Sequence, residues 1–539
     1  MITNKFQKKA YDTVADALPF AIDPTKISVE PGLSYCISPI KVHDYAMGVM
    51  AAFGSAVEHL GRLRGLPAQT MKLNRRRGGL LMNSLQMHFL NGYGTIFDSW
   101  PIGPDNGTYR TKDGRYVTMI GFHPHLRDGL LDYLQTANTA QAIQRAVEKK
   151  TAQQLEDEAD ALVLPLGMVR TPEEWRAHPQ GEATAARPLI EFAQNGDAQK
   201  RRLGEARYRP LEGVRVVELT HVVAGPMAGK ILAEQGADVI KVQPPHGDWG
   251  SPVWLDTSWG KKNIFLDIKS PAGKKQFAEL LASADVLLSS QRRDALPKLG
   301  FDAATLRAIN PNLIFAEENC YVEASPWARR RGFEQIAQAV TGVMDVHSKD
   351  LSEPTVTSVV MNDTLTAYLV VTGVVAALAE REEHGGFWKV GASLSRTSME
   401  ALNFLEPKHA EKYAPVTMKD LIEHAVDQDS PWGTFTRIGS AVEFSHIPSY
   451  AERPTSWPGT DPDTIRWTPV DNFTPVNVTH YPSKLAREGG IRNHIVSYGI
   501  EDRGDGGGVL GLASKHLPKE LEEYIEAQRR QEALEAQSI

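Results

Sequence analysis

The first part of the chain alternates helical periodicity with one short β-rich segment. Apolar residues recur at helical spacing over 43–63, and a second helix is predicted over 80–90. In 106–122, Asp113-Gly114 lies between two β-rich arms, which predicts a hairpin. Residues 139–162 are predicted to be helical.

A helix start with a capping box is predicted at 171–174, where Thr171 precedes Pro172 and Glu174 lies three positions after the threonine. The stretch 178–209 is polar and interrupted by proline, and we interpret much of it as a linker.

From about residue 211, short apolar runs alternate with helical segments. Strands are predicted at 214–219, 237–242, 284–290 and 312–318, with helices between them at 227–234, 270–281 and 303–309. A long helix over 364–383 and a strand over 387–394 follow. This alternation is typical of βαβ units, so the predicted fold class is α/β, with a Rossmann-like parallel sheet covered on both faces.

Beyond about residue 406 the chain is rich in proline and tryptophan and shows little periodicity. Residues 518–536 are predicted to form a charged amphipathic helix or a frayed tail. The predicted organisation is a first region of 1–200, a sheet region of 201–400 and a C-terminal extension of 401–539. A chain of 539 residues is long enough for two or more domains.

The amino-acid composition argues against some classes of function. Basic residues number 59 against 66 acidic ones, for a net charge of −7, which argues against a nucleic-acid partner. The two cysteines, Cys36 and Cys320, are predicted to be reduced and buried. No apolar stretch follows the basic start, and the longest apolar run, 368–378, is too short to span a bilayer. We therefore expect a cytoplasmic protein without a membrane partner.

Three segments are predicted to lie at the carboxyl ends of strands, where open α/β sheets bind ligands: 221–226, 243–248 and 290–293. The first is a turn of small residues before a helix. Its free N–H groups are suited to a phosphate or carboxylate, although a purely structural turn explains it equally well. Asp363 lies where the long apolar helix begins. It is interpreted as a helix cap or as a nucleophile, and the two roles are compatible.

The remaining histidine, serine and arginine candidates are interpreted as structural residues and not as functional ones. His123 and His125 have no third ligand at useful spacing, so we predict a loop and no metal. No nucleophile-elbow motif surrounds Ser395 or Ser398. The basic runs at 75–77 and 329–331 are interpreted as solvated faces, with a CoA phosphate partner as the alternative.

Five segments in order resemble the class III coenzyme A transferase family (the CaiB/BaiF group). They are PLEGVRVVELTHVVAGPMAGKILAEQGADVIKV (210–242), KKNIFLDIKSPAGKKQFAELLASADVLLSS (261–290), LPKLGFDAATLRAINPNLIFA (296–316), RGFEQIAQAVTGVM (331–344) and TVTSVVMNDTLTAYLVVTGVVAAL (355–378). Residues 106–134 and 169–183 resemble the small α+β domain of the same family and its return linker, but out of order. The resemblance implies the fold of this family, with a small domain at about 100–180, in a rearranged or fused chain.

The resemblance also implies an activity and a set of residues. The family's catalytic aspartate falls on Asp363, and the glutamate that accompanies it in some members falls on Glu334. In the implied reaction the aspartate carboxylate attacks an acyl-CoA thioester and carries first the acyl group and then CoA. The implied CoA contacts are His221, Val222, Val223, Ala224, Leu266, Asp267, Ile268, Lys269, Ser290, Gln291 and Lys298. CoA is expected as a substrate rather than a permanently bound cofactor. The other expected partners are a small carboxylate and, as one possibility, a second copy of the chain.

The sequence departs from the family at several of these positions. Val223 replaces a common glutamine, and Asn362 replaces the usual glycine before the aspartate. The histidine that the family's α-methylacyl-CoA racemases pair with the aspartate falls on Phe333, which ranks racemisation below transfer. Two alternatives to CoA transfer remain. The protein either catalyses another reaction of acyl-CoA, as a racemase, isomerase or lyase, or is a non-catalytic relative that binds CoA.

Overall fold

The computed structural model describes residues 2–95, 103–246, 253–347, 354–357, 359–406, 412–447, 449–462, 466–468, 479–480, 483–488 and 491. The first elements in chain order are α1 (Lys5–Ala15), β1 (Ile27–Glu30), α2 (Val42–Leu63), β2 (Met71–Asn74), α3 (Arg75–Leu81), β3 (Phe89–Leu90) and β4 (Tyr93–Gly94). The helix predicted over 43–63 is confirmed as α2. The helix predicted over 80–90 is wrong. The Asn74 side chain accepts a hydrogen bond from the Arg77 N–H and starts α3 earlier, while Phe89 and Leu90 pair with a strand far along the chain.

The basic run at 75–77 is not a solvated face. Each of the three arginines is buried and paired with a carboxylate: Arg75 with Asp44, Arg76 with Asp420 and Arg77 with Glu443. Because these carboxylates come from both ends of the chain, the run connects the N-terminal and C-terminal segments. The pairing leaves no support for a CoA phosphate at these arginines.

A small unit with its own core follows. Its elements are β5 (Asn106–Arg110), β6 (Tyr116–Ile120), α4 (Pro124–Leu134), α5 (Ala140–Val147), α6 (Ala152–Ala161) and β7 (Leu166–Met168). Two further helices follow, α7 (Pro172–Ala177) and α8 (Pro179–Ala185), and Trp175 of α7 is buried in a different cluster, with residues of the later segment 336–344. Strands β5, β6 and β7 form an antiparallel sheet, and the predicted hairpin is confirmed, with Gly114 at φ 77° in its turn. The predicted helix over 139–162 is two helices, because a capping box at Thr151 starts a new one. The capping box at Thr171 is confirmed.

The large sheet is built from the next part of the chain. Its elements and the helices between them are β8 (Glu191–Gly196), β9 (Arg215–Leu219), α9 (Ala224–Glu234), β10 (Asp238–Gln243), α10 (Val253–Thr257), β11 (Lys261–Phe265), α11 (Pro271–Ser283), β12 (Val286–Ser289), α12 (Ala295–Lys298), α13 (Ala303–Ile309), β13 (Ile314–Asn319), α14 (Glu334–Thr341), α15 (Val343–His347), α16 (Met361–His384), β14 (Phe387–Ser393) and α17 (Leu394–Ala401). The strand order is β11-β10-β9-β12-β13-β14-β8.

All neighbours in this sheet are parallel except β8, which runs antiparallel to β14 at the edge. The predicted α/β class, parallel strands and crossover helices are confirmed. Two strands were missed. The first is β11, and the second is β8, which lies in the stretch interpreted as a linker. That stretch also contains α8, so the linker interpretation is wrong for 179–196.

Helix α16 lies at the centre of the core and contacts α2, α9 and β14. In the part of the chain that the structure describes, it is the one helix long and apolar enough to cross a membrane, and its apolar window is entirely buried inside the protein. Burial on all sides explains why its sequence is apolar all round. The N-terminus of this rigid helix carries Asp363.

The C-terminal region contains α18 (Met418–His424), β15 (Ala425–Ser430), β16 (Gly433–Ile438), β17 (Val442–Phe444), β18 (Thr479–His480) and α19 (Lys484–Arg487). Strand β16 pairs with β3, and β17 pairs with β2, so sheets form between the two ends of the chain. The division at 200 and 400 stays a prediction, and the helix predicted over 518–536 lies outside the described residues.

Candidate active site

The turn between β9 and α9 lies at the carboxyl edge of the large sheet. Val222 adopts φ 64° there, a conformation that is strained for a β-branched residue and that marks a constrained turn. Helix α9 has no side-chain cap at Val223, and the backbone N–H of Gly225 in its first turn donates to the Glu318 carboxylate. The backbone N–H of His221 donates to the Ser290 hydroxyl at 2.8 Å. The structure therefore brings two of the predicted CoA segments together, 221–224 and 290–291.

His221 is exposed to solvent, but protein atoms surround much of its imidazole ring and displace water from it. This desolvation lowers the pKa of His221 to about 4, and the charges of Lys241 and His123 act in the same direction. His221 is therefore neutral at pH 7. Its neighbour His123 lies just before α4 of the small unit, which brings that unit to the same edge of the large sheet.

A buried charge cluster below this turn was missed by sequence reasoning. The Glu218 carboxylate forms ion pairs with the Lys241 ammonium at 2.9 Å and with the Lys261 ammonium at 2.7 Å, and all three side chains are buried. Lys261 also donates to the Pro226 carbonyl in the first turn of α9. Burial lowers the pKa of Lys261 to about 7, although Glu218 opposes this shift. Two lysines facing one carboxylate give the base of the turn a net positive charge below about pH 7, where Lys261 keeps its proton.

The other predicted CoA contacts are spread along the same edge. Leu266, Asp267, Ile268 and Lys269 follow β11, two strands away from β9, and Lys298 is an exposed residue of α12 paired with Asp294. Gln291 donates to the Leu219 carbonyl at 3.4 Å. The predicted contacts thus share the carboxyl edge of β9, β11 and β12, and nothing in their geometry tests the individual assignments.

Asp363 is the third residue of α16 and does not cap it. The residue at the cap position is Val360, which makes no side-chain cap bond. The Glu334 carboxylate caps this helix instead: it accepts the backbone N–H of Asn362 at 3.1 Å and that of Asp363 at 2.9 Å. Gln338 donates a third hydrogen bond to Glu334 at 2.6 Å. Both residues implied by the family resemblance therefore meet at one helix terminus.

The electrostatics of this terminus favour the protonated forms of its carboxyl groups. Burial raises the pKa of Glu334 to about 7. Burial also raises the pKa of Asp363 well above its usual value, and the charges of Glu334 and Glu318 raise it further. The positive end of the α16 dipole opposes this effect. Once it is deprotonated, a carboxylate in a water-poor site at a helix N-terminus is suited to nucleophilic attack on a carbonyl carbon.

Two further residues of the site were missed from the sequence. Glu318 at the end of β13 is buried, and burial raises its pKa to about 7. Cys320, which is buried and free, follows it, and burial raises its pKa well above the usual value. The available signal was position, because Glu318 ends the predicted strand 312–318 and Cys320 follows it, at the edge of the sheet where ligands bind.

The small unit covers one side of this site. Phe122, which follows β6, packs edge-on against Phe333 with ring centroids 6.3 Å apart. Phe333 precedes α14 directly and adjoins Glu334. One chain therefore supplies both the large-sheet side and the small-unit side of the site.

The three arginines at 329–331 lie in different environments. Arg329 is exposed, as expected for a solvated face. The Arg330 side chain is buried against Glu156 and Asp160, so the solvated-face interpretation is wrong for this residue. Arg331 extends towards His125 at 3.5 Å.

Residues 211–429 match the model of CoA-transferase family III. Among curated proteins, the chain is 34% identical over 197 residues to a succinate–glutarate CoA-transferase from Agrobacterium fabrum, which covers 33% of this chain and 49% of that protein. It is 31% identical over 276 residues to an acyl-CoA transferase from Gibberella moniliformis, which covers 48% of each. The chain spans about half the length of the curated relatives it matches.

A formyl-CoA:oxalate CoA-transferase from Streptomyces coelicolor is 32% identical over 197 residues, covering 34% of this chain and 48% of that protein. Among solved structures, a CaiB/BaiF family protein from Brucella suis aligns with TM-score 0.35 and 28% identity, over 42% of this chain and 65% of that one.

Proposed function

We propose that the protein moves CoA between an acyl-CoA thioester and a carboxylic acid, because residues 211–429 match the model of CoA-transferase family III. Asp363 is the nucleophile in this proposal. The observation that carries it is the position of this carboxylate, in the first turn of a buried helix whose cap is a second carboxylate, Glu334.

The proposed reaction begins with attack of the Asp363 carboxylate on the thioester carbonyl carbon. A C–O bond forms, the C–S bond breaks, and CoA leaves as a thiolate while the acyl group stays on Asp363 as a mixed anhydride. The thiolate then attacks the Asp363 carbonyl, which releases the acyl group as a carboxylate and leaves an aspartyl-CoA thioester. An acceptor carboxylate enters by the reverse steps. Exclusion of water protects both intermediates from hydrolysis.

The residues around Asp363 support this chemistry in two ways. The N-terminal end of α16 stabilises the negative charge that moves between carboxylate and oxyanion. Glu334 fixes the backbone at Asn362 and Asp363 through two hydrogen bonds and so holds the nucleophile in place.

The edge turn at 221–224 and the neighbouring Ser290 are suited to the phosphates of CoA. Support comes from the absence of a side-chain cap at Val223 and from the cluster of Glu218, Lys241 and Lys261 below it, which carries a positive charge while Lys261 is protonated. The Ser290 contact to His221 holds the two segments together.

Racemisation on the same fold is the second candidate, and the local structure disfavours it. A two-base racemase needs a second base opposite the aspartate. The position beside Glu334 is occupied by Phe333, whose ring packs against Phe122.

The experiment incubates the purified full chain with a panel of acyl-CoA thioesters and carboxylic acids and detects products by mass spectrometry. We expect a new acyl-CoA and an Asp363 peptide carrying CoA, which hydroxylamine converts to a hydroxamate. The Asp363→Asn variant should lose about 10³-fold or more in kcat. Asp157→Asn, a change at an exposed residue of α6, is the matched control and should retain wild-type turnover. Unchanged turnover in Asp363→Asn would refute the nucleophile. Deuterium exchange at the substrate α-carbon without an adduct would favour racemisation.

A further inference from the structure

A buried glutamine of α14 joins the Glu334 carboxylate to the segment that leads into α16. Gln338 lies one helical turn after Glu334, and its side-chain Nε2 donates to Oε1 of Glu334 at 2.6 Å. The same carboxylate accepts the backbone N–H groups of Asn362 and Asp363. A continuous path of hydrogen bonds therefore runs from the Gln338 amide to the backbone of the proposed nucleophile.

The second partner of Gln338 is Thr357, which lies just before α16. Oε1 of Gln338 accepts the Thr357 backbone N–H at 2.9 Å, and Nε2 donates to the Thr357 hydroxyl at 3.0 Å. This hydroxyl in turn donates to the Val359 carbonyl at 2.9 Å. A backbone N–H can only donate, so the Thr357 N–H requires the amide oxygen on its side and leaves the Nε2 donor for Glu334. The Gln338 amide thus has one favourable orientation.

We propose that Gln338 is a positioning residue for the transfer reaction and acts on Asp363 through Glu334. A carboxylate that accepts two N–H groups can still rotate about its last bond, and a third hydrogen bond from a fixed amide restricts this rotation. The start of α16 then keeps the orientation in which the Asp363 carboxylate meets a thioester carbonyl. The proposal deepens the proposed function and rests on it for the effect on turnover.

A glutamine one turn after a glutamate also stabilises an ordinary helix, which is the purely structural alternative. Here both side chains are buried, and their other hydrogen bonds leave α14. Gln338 bonds to Thr357, and Glu334 bonds to the first turn of α16. The pair therefore holds a different element in place, in addition to any effect on α14 itself.

The kinetic test compares the full chain with its Gln338→Met variant, in which the side chain keeps its length but loses its donor. We expect kcat to fall by about tenfold or more with KM for acyl-CoA unchanged, because the nucleophile is displaced while the edge turn at 221–224 is not. In the Glu334→Gln background, Gln338→Met should cause no further loss, since both changes break the same path. A wild-type kcat, or losses that multiply in the double variant as a purely structural role predicts, would overturn the proposal.

Two further variants guard against effects of folding. Gln338→Asn keeps an amide that is too short to reach both partners, and its kcat should fall in the same way. The matched control is Gln428→Met. Gln428 is buried in β15 and donates to the Ala451 carbonyl at 2.9 Å, outside the site, so kcat should stay at the wild-type value. An equal loss of kcat in this control would overturn the proposal, because any buried glutamine would then have the same effect.

Hydrogen–deuterium exchange of the protein without substrate is the second readout. In Gln338→Met, the amides of Asn362 and Asp363 should exchange roughly tenfold or more faster, because Glu334 holds them less firmly. The amides of Val370 and Val371, in the middle of α16, should exchange at wild-type rates. Unchanged exchange at Asn362 and Asp363 would overturn the proposal. Faster exchange there in a protein that transfers no CoA would refute the proposed function while upholding the link from Gln338 to α16.

Discussion

Replacing Glu318 by glutamine should change how the stability of the protein depends on pH. Burial raises the pKa of Glu318 from 4.5 to about 7 in the folded state, so the folded protein holds this proton more tightly than the unfolded chain does. The resulting stabilisation is fully present below about pH 4.5 and is lost as the pH rises to about 7. Glutamine stays neutral at every pH and removes this dependence.

The size of the effect follows from the shift. A pKa difference of this size corresponds to about 3 kcal/mol of unfolding free energy. Relative to wild type, the Glu318→Gln variant should therefore gain up to about 3 kcal/mol between about pH 4.5 and about pH 8. Any constant cost of the glutamine cancels, because only the difference between the two pH values is compared.

Scanning calorimetry of both proteins at about pH 5 and about pH 8 is the assay. For a chain of this length, about 3 kcal/mol corresponds to roughly 3 °C in Tm. We expect the Tm of the variant, relative to that of wild type, to be higher at the alkaline pH than at the acid pH by roughly this amount. Because a chain this large does not unfold in one step, the comparison uses Tm differences rather than extrapolated free energies.

Glu323→Gln provides a control of opposite sign. The Lys389 side chain, which pairs with Glu323, helps to hold the pKa of Glu323 below its usual value although burial opposes this, so its stabilisation is present at alkaline pH and is lost on acidification. The Glu323→Gln variant should therefore lose Tm relative to wild type at about pH 8 and approach wild type in acid. If the difference in Tm between Glu318→Gln and wild type is the same at both pH values, then Glu318 is not a buried acid and the reasoning fails.

Two further variants test other parts of the structure. Glu334→Gln should lower kcat by roughly 10- to 100-fold with little change in KM. A glutamine has one acceptor oxygen and cannot accept both the Asn362 and Asp363 N–H groups as the carboxylate does, so Asp363 shifts. A kcat equal to that of wild type would contradict this reasoning. Arg381→Met should destabilise the protein by about 3–5 kcal/mol, since the buried guanidinium donates to Asp285 at 2.8 Å. Calorimetry should detect a lower Tm for this variant but not for Arg110→Met at an exposed site, and equal Tm values would count against the buried pair.

Local patterns in the sequence were sufficient for five of the seven strands of the large sheet and for the helices α9, α11, α13 and α16. The apolar runs that became β9, β10, β12 and β13 alternate with helical segments, and burial of both faces of a parallel sheet produces such runs directly. The hairpin at Asp113-Gly114 and the capping box at Thr171 were also predictable. Each of these depends on residues within a few positions of one another.

Tertiary contacts decided the features that the sequence left open or that we predicted wrongly. The arginines at 75–77 resemble a solvated run until Asp44, Asp420 and Glu443 fold onto them from distant parts of the chain. Strand β8 has too little apolar pattern to be recognised, because an edge strand is defined by its pairing with β14. Pairing partners separated by hundreds of residues leave no local signal.

The candidate site shows the same division. Family resemblance in the sequence pointed to Asp363 and Glu334 as a pair, and the sequence alone was compatible with Asp363 as a helix cap. Only the fold shows that Glu334 caps α16 and that Glu318 is buried at the end of β13, where burial raises its pKa. A residue's type and its neighbours along the chain are local properties. Burial and the charges that surround a group arise when separate elements pack together, so the protonation of these carboxyl groups was decided by the tertiary structure.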